Sequence, residues 1–194
     1  MSKSMFRVPF SIKLMVQLAM LIALQIVLTR VLAIEIGNTM RISFSFVPIV
    51  VAAIAYGPVW STVVYVIADL VGAILKGYTP LPGLTVGFAL TGLVLGIFLF
   101  HADSRGVGAG RVMVRIVAAT VISQLLFSLL FNSFVLFQAY HTYATYPATI
   151  LARVPSIALL AAAQLVLTPV LIQIVAILRK QGLLAKYEIA RKAG

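Results

Sequence analysis

Apolar residues run almost unbroken along this chain, and the polar breaks between the runs mark out its elements. Breaks at Arg30, Gly57-Pro58, Lys76-Gly77, 101–111 and 140–148 leave six segments, 10–33, 44–56, 59–75, 84–100, 112–138 and 149–178. A helix needs roughly 20 apolar residues to cross a bilayer, and most of these segments reach or approach that length. They are too long and too uniformly apolar for the alternating strands of a membrane barrel. A backbone in lipid must also satisfy its own hydrogen bonds. The pattern therefore predicts an all-α integral membrane protein with six transmembrane helices in a single domain, 1–194. The second segment rises only about 20 Å and is too short to span unaided. It is expected as a tilted or half-depth helix, turned sharply into the third by Tyr56-Gly57-Pro58.

Composition agrees: 62% of residues are hydrophobic, and the mean hydropathy is +1.13. The run 10–33 is longer than a signal-peptide core and lacks a small-residue cleavage site, so it reads as a retained helix. Without cysteine there is neither a disulfide framework nor a thiolate metal site. Charge is lopsided, with 15 Lys and Arg against 4 acidic residues. No soluble domain presents that charge as a basic face, so nucleic acid is not an expected partner and the lipid bilayer is. If both termini are cytoplasmic, most of the Lys and Arg gather inside, as multi-pass proteins of the cell membrane require. Arg30, Arg41, Lys76 and Arg153 are left at outer helix ends, with Glu35 and Asp69 as the acids beside them. A basic outer mouth suits an anionic solute.

Catalytic parts are missing from the pattern. The chain has no Gly-x-x-x-x-Gly-Lys-Ser/Thr loop for ATP, and neither His101 nor His141 has a carboxylate at acid-base or metal-ligand spacing. No catalytic residue, cofactor or metal is expected, and the chain does not read as an enzyme. Six helices are also few for the paired repeats of many transporters, so a solute bound here would need partners to move it. Asp69, inside the apolar "VIADLVGAIL", is either a hydrogen-bond acceptor at a pocket floor or half of a structural ion pair. Arg41 precedes "ISFSFVPIV", where its guanidinium can grip a ligand carboxylate bidentately and share its charge with Asp69. Two small-x-x-x-small pairs, Ala19/Ala23 and Gly92/Gly96, allow close helix approach.

Read together, "RISFSFVPIVVAAIAYGPVW" (41–60), "ADLVGAIL" (68–75) and "LPGLTVGFALTGLVLGIFLF" (81–100) resemble the substrate-binding S-component of energy-coupling-factor (ECF) vitamin transporters, in particular the folate-type family. The resemblance implies a six-helix subunit that docks on a module of one transmembrane coupling protein and two ATPases, where alone ATP is used. The Ala-x-x-x-Ala docking face of that family corresponds to Ala19 and Ala23. The implied ligand is an anionic water-soluble vitamin. Its pocket would take Arg41, Lys76 and Arg153 for charge, Asp69 and Asn132 for polar recognition, and Phe44, Tyr78 and Tyr143 for apolar contact. Folate is the first expectation, with Asp69 facing the pterin donors. Leu81 and Leu84 stand where the family pattern has Phe, which removes two ring faces and makes pantothenate the second. A different class, a small membrane enzyme or assembly factor using the mouth for lipid headgroups, is the third.

Overall fold

The computed structural model describes residues 11–36, 40–77, 79–102, 108–140 and 145–184, with backbone alone for 34–36, 40–42 and 140. Its elements are α1 (Ile12–Arg30), β1 (Ile34–Ile36), β2 (Met40–Ile42), α2 (Phe46–Tyr56), α3 (Pro58–Leu75), α4 (Pro82–Leu99), α5 (Ala109–Val121), a π-helical stretch (Ile122–Phe131), α6 (Asn132–Tyr140) and α7 (Tyr146–Lys180). From α5 through α6 the chain forms one long span. Among the described residues, five spans are long and apolar enough to cross a membrane, and α2 is the short sixth.

The boundaries have local causes. Ser11 caps α1, its Oγ accepting from the Leu14 N–H at 3.1 Å. Prolines open α3, α4 and α7, where a missing N–H costs nothing. Between α2 and α3, Gly57 takes φ 86°, and an added Cβ there would meet the Phe100 ring at 3.1 Å. Only glycine suits that turn. All six expected segments appear, each shifted by a few residues. The link between the first two also carries something the apolar pattern did not predict, a two-stranded antiparallel hairpin with Glu35 opposite Arg41.

Almost every side chain of α2 is buried. The helix is enclosed by α1, α3, α4 and α7, against all of which it packs. Outward faces are apolar instead, as along α1 at Met15, Val16, Met20 and Leu24. Lipid-facing surface and protein core are thus both greasy, and polar groups are confined to the interior.

The closest helix contact is α3 on α4. A Cβ on Gly96 would overlap the Pro58 backbone, and one on Gly92 would come within 2.9 Å of the Ser61 carbonyl oxygen. Ser61 Oγ uses the approach to donate to the Gly92 carbonyl at 2.8 Å. The Gly92/Gly96 pair is therefore used within the chain. At the same end of the bundle, Lys13 Nζ donates to Gly182 O at 2.7 Å and Gln17 Nε2 to Leu183 O at 2.6 Å. Arg179 Nη2 caps the last carbonyls of α2, Ile54 O and Ala55 O, both at 3.3 Å. The start of α1 and the end of α7 share one end of the molecule.

This packing makes a stability prediction. Gly96→Ala should cost roughly 1–3 kcal/mol by overpacking, read as a lower thermal midpoint in detergent. Gly110→Ala is the control, since nothing lies within 4 Å of its added Cβ. Equal midpoints for the two variants would refute the tight α3–α4 contact.

Candidate ligand-binding site

At the end opposite the start of α1, the bundle encloses a cavity of about 200 Å³. It exists because α2 is short: Ser43, Ser45 and Phe46, at the N-terminus of that helix, form part of its lining. The first N–H groups of a helix have no intrahelical acceptor and carry partial positive charge, and this helix end adjoins the cavity. Ser45 makes no side-chain cap to them.

Longer helices supply the walls. From α1 come Gln25 and, about one helical turn on, Thr29 and Arg30. Tyr65 and Asp69 enter from α3, Phe88 from α4, Gln124 and Ser128 from the π stretch, and Arg153 from α7. Tyr65 and Phe88 stack, with centroids 4.9 Å apart and planes at 19°. Toward the middle of the bundle an annex of about 30 Å³ shares Phe46, Tyr65 and Phe88 with the chamber and adds Asn132 and Gln164. The π winding sets the alignment of one wall. In an α-helix, residues 124, 128 and 132 would drift progressively round the axis, whereas wider i→i+5 turns turn less per residue. That winding ends with the Asn132 N–H donating to Phe127 O.

Electrostatics in the chamber centre on one ion pair. Arg30 Nη2 lies 3.6 Å from Asp69 Oδ1, each side chain 14% exposed. Thr85 Oγ1 donates to Asp69 Oδ2 at 3.0 Å. Gly72, one turn beyond Asp69, makes the pair possible: an added Cβ would stand 2.8 Å from Arg30 Nε. The guanidinium lies across α3 through the space that glycine leaves. Arg153 Nη1 donates to Ser133 Oγ at 2.7 Å, which uses one of its five donors. Around the chamber and annex, Gln25 Oε1, Arg30 Nε, Asn132 Oδ1 and Gln164 Nε2 are buried without a hydrogen-bond partner among the described residues. Each such atom costs about 1–3 kcal/mol, so four around one space indicate a site made for a polar ligand.

Of the residues singled out from sequence, Asp69 and Arg153 line the chamber and Asn132 lines the annex. Phe44 does not line it. Half exposed, it sets its ring 6.4 Å from that of Phe46, and Phe46, two positions on and so turned inward at the start of α2, provides the wall. Lys76 is also outside the lining, exposed past the last turn of α3, because the cavity reaches only as far along that helix as Asp69. Arg41 has its backbone in β2, and its side chain, like Tyr78 and Tyr143, lies outside the described residues. Among the described residues the cation beside Asp69 is Arg30, which ends α1 directly over Gly72; the expected sharing of charge between Arg41 and Asp69 falls on a side chain outside the described residues. Sequence reasoning passed over Gln25, Gln124 and Gln164. Like Asp69, each is a polar group inside an apolar span. Ala19 and Ala23 sit on the exposed face of α1.

A helical bundle with apolar walls outward and a charged, ring-lined cavity near one end defines a membrane-embedded receptor for a small solute. The family model described as "ECF transporter, substrate-specific component" matches residues 13–179, and the chain belongs to that family. It is accordingly a multi-pass protein of the prokaryotic plasma membrane. Among curated relatives, Folate transporter FolT of Clostridium novyi (strain NT) is 28% identical over 116 residues, 59% of this chain and 64% of that protein, a little short of two thirds of its length. Folate transporter FolT of Leuconostoc mesenteroides subsp. mesenteroides is 31% identical over 134 residues, 68% of each chain. A crystal structure of FolT bound with folic acid superposes with a TM-score of 0.71 at 25% identity, covering 84% of this chain and 94% of that one.

The Arg30–Asp69–Gly72 arrangement predicts non-additive energetics. Gly72→Ala should lower the unfolding midpoint in the parent and add little in an Arg30→Ala background, and an Arg30/Asp69 double-mutant cycle should show coupling of roughly 1–3 kcal/mol. Additive effects in both experiments would mean that the three residues do not act together.

Proposed function

We propose that this chain captures folate from outside the cell and delivers it to an ATP-driven partner module. The observation that carries the reading is the convergence of three rings, Phe46, Tyr65 and Phe88, on a chamber that also holds two arginines and unpartnered buried polar atoms. Folate has matching parts: a flat pterin to stack, ring nitrogens and an amino group to hydrogen-bond, and glutamate carboxylates to meet cations. The rings stand on α2, α3 and α4, so the stacking surface does not depend on positions 81 and 84. Relatives named as folate transporters support the same ligand over pantothenate, which has no ring to stack.

Roles follow from placement. Arg153, with donors to spare, and Arg41, in the hairpin beside the mouth, take the carboxylates. Asp69 holds Arg30 over the chamber, with Thr85 on its other oxygen. With the cavity facing outward, both termini are cytoplasmic and most of the Lys and Arg lie inside. The chain catalyses nothing and needs no cofactor of its own. A transmembrane coupling subunit and two ATPases supply the work, docking on the exposed apolar face of α1 around Ala19 and Ala23.

Calorimetric titration of the purified protein should give tight binding of folate and none of pantothenate at comparable concentration. The reverse preference would refute the ligand assignment. Arg153→Ala should weaken folate binding by about one to two decades, the loss of a charge-assisted pair of roughly 1.5–3 kcal/mol. Trp at position 19 or 23 should abolish uptake by cells carrying the module while leaving folate affinity unchanged. A parallel loss of binding would place those alanines in the fold of the chain itself.

A further inference from the structure

The apolar outside of the bundle is interrupted by a groove of about 360 Å³ between α3 and α4. It follows from how the two helices cross. At Gly92 and Gly96 the backbones of α4 and α3 touch, whereas nearer their ends at Lys76 and Pro82 the helices are bridged by side chains, as by Thr85 Oγ1 on Asp69. The helices therefore part in that direction and leave a wedge. Val66 and Leu70 line it from α3, Thr85 and Val86 from α4, with Pro80 and Pro82 where the chain enters α4. Thr85 is its one polar side chain, and the hydroxyl is engaged by Asp69. Leu70 and Val86 are 36% and 50% exposed, so the groove opens onto lipid. No water at hydrocarbon depth is available to fill it, and an empty groove would forfeit the dispersion contacts of its lining. Where the helices part, α3 stops at Lys76, an exposed cation outside the chamber lining that forms no ion pair among the described residues.

We propose that this groove and Lys76 form one site for an anionic phospholipid of the leaflet at that end, with an acyl chain between α3 and α4 and the phosphate on Lys76. Each half supplies what the other lacks. The groove offers apolar contact and no partner for a headgroup, which is thereby kept at its mouth, and the lysine there offers a charge on a flexible stem. Pro80 and Pro82, their φ angles fixed by their rings, hold the entry to α4 beside that mouth. A chain in the groove packs against Thr85, the residue that holds Asp69. The bound lipid is thus an outer support for the wall that carries the Arg30–Asp69 pair.

The test reads lipid at this position alone, because cations at the other end of the bundle would dominate a bulk measurement. Ile74→Trp, one turn beyond Leu70 and well exposed, supplies a reporter indole, and Trp60→Phe removes the native one. The protein is placed in vesicles of phosphatidylcholine and phosphatidylglycerol in which one lipid at a time carries brominated, quenching chains. Phosphatidylglycerol should be favoured at the reporter by about fivefold, the effect of one cation near the headgroups. Lys76→Gln should bring the ratio close to one. Val86→Phe, which fills the groove from its exposed rim and keeps the cation, should do the same, and Leu70→Phe repeats that measurement from the α3 side should Val86→Phe fail to fold. Lys180→Gln, at the other end, should leave the ratio unchanged. A reporter protein without preference, or one whose preference survives Lys76→Gln, overturns the proposal. So does a preference lost with Lys76 but kept when the groove is filled, since the lysine would then meet headgroups at large. Folate enters none of these measurements, so the folate reading is left to its own titrations.

Discussion

A helix too short to cross the bilayer has to be enclosed by longer ones, and the rest of this structure follows from that constraint. The 11 residues of α2 rise about 16 Å, roughly half of a hydrocarbon core. With no water at that depth, its N-terminal N–H groups and the irregular backbone before it are tolerable only inside protein. The surrounding spans supply that enclosure, and the depth that α2 leaves unfilled is the cavity. A longer second helix would have filled the space with its own side chains. The binding site is in this sense a consequence of a missing pair of helical turns.

Charge inside such a space must be held, and the means is economical in residues. Arg30 comes from α1, Asp69 from α3 and Thr85 from α4, so one carboxylate joins three helices through its two oxygens. Gly72 contributes by having no side chain. The motif "ADLVGA" thereby acquires a physical meaning: its acid sets a charge and its glycine, one turn later, leaves the groove in which the partner of that charge lies. The carboxamides Gln25, Gln124 and Gln164 do neutral work in the same interior. They offer donors and acceptors to a ligand without the desolvation cost of a second buried ion. Outside, α1 presents apolar residues, with Ala19 and Ala23 among them, over a long face, a surface equally compatible with lipid and with another helix.

Two local departures from regular helix shape this interior, and both were invisible to hydrophobic periodicity. The π stretch lies within a continuous apolar run, so nothing in its pattern of polar and apolar residues separates it from α-helix. Its winding is set by the neighbours it must match, with Asn132 seated against Gly87 and Gln124 against Gln164. The hairpin 34–36/40–42 is a short pairing outside the spans, too brief for the period of two to stand out.

Much of this protein was legible in its sequence. The number, order and approximate ends of the helices were fixed by length, because a bilayer imposes one dimension on every span and proline, glycine and charge mark where each one stops. Asp69 stood out for a related reason, since a polar group amid apolar ones carries a cost that calls for an explanation; Arg153 was marked by its charge at an outer helix end, and Asn132 by the family resemblance. The family was readable from the ordered motifs between Arg41 and Phe100. What sequence left open was which of the polar groups meet. Whether Asp69 meets Arg30, and whether Phe44 or Phe46 faces inward, depends on where helix ends converge in space. Distance along the chain carries no information about those meetings. They are decided by the packing of α1 over Gly72 and of the long helices around α2, contacts between residues far apart in sequence that exist only once the bundle has formed.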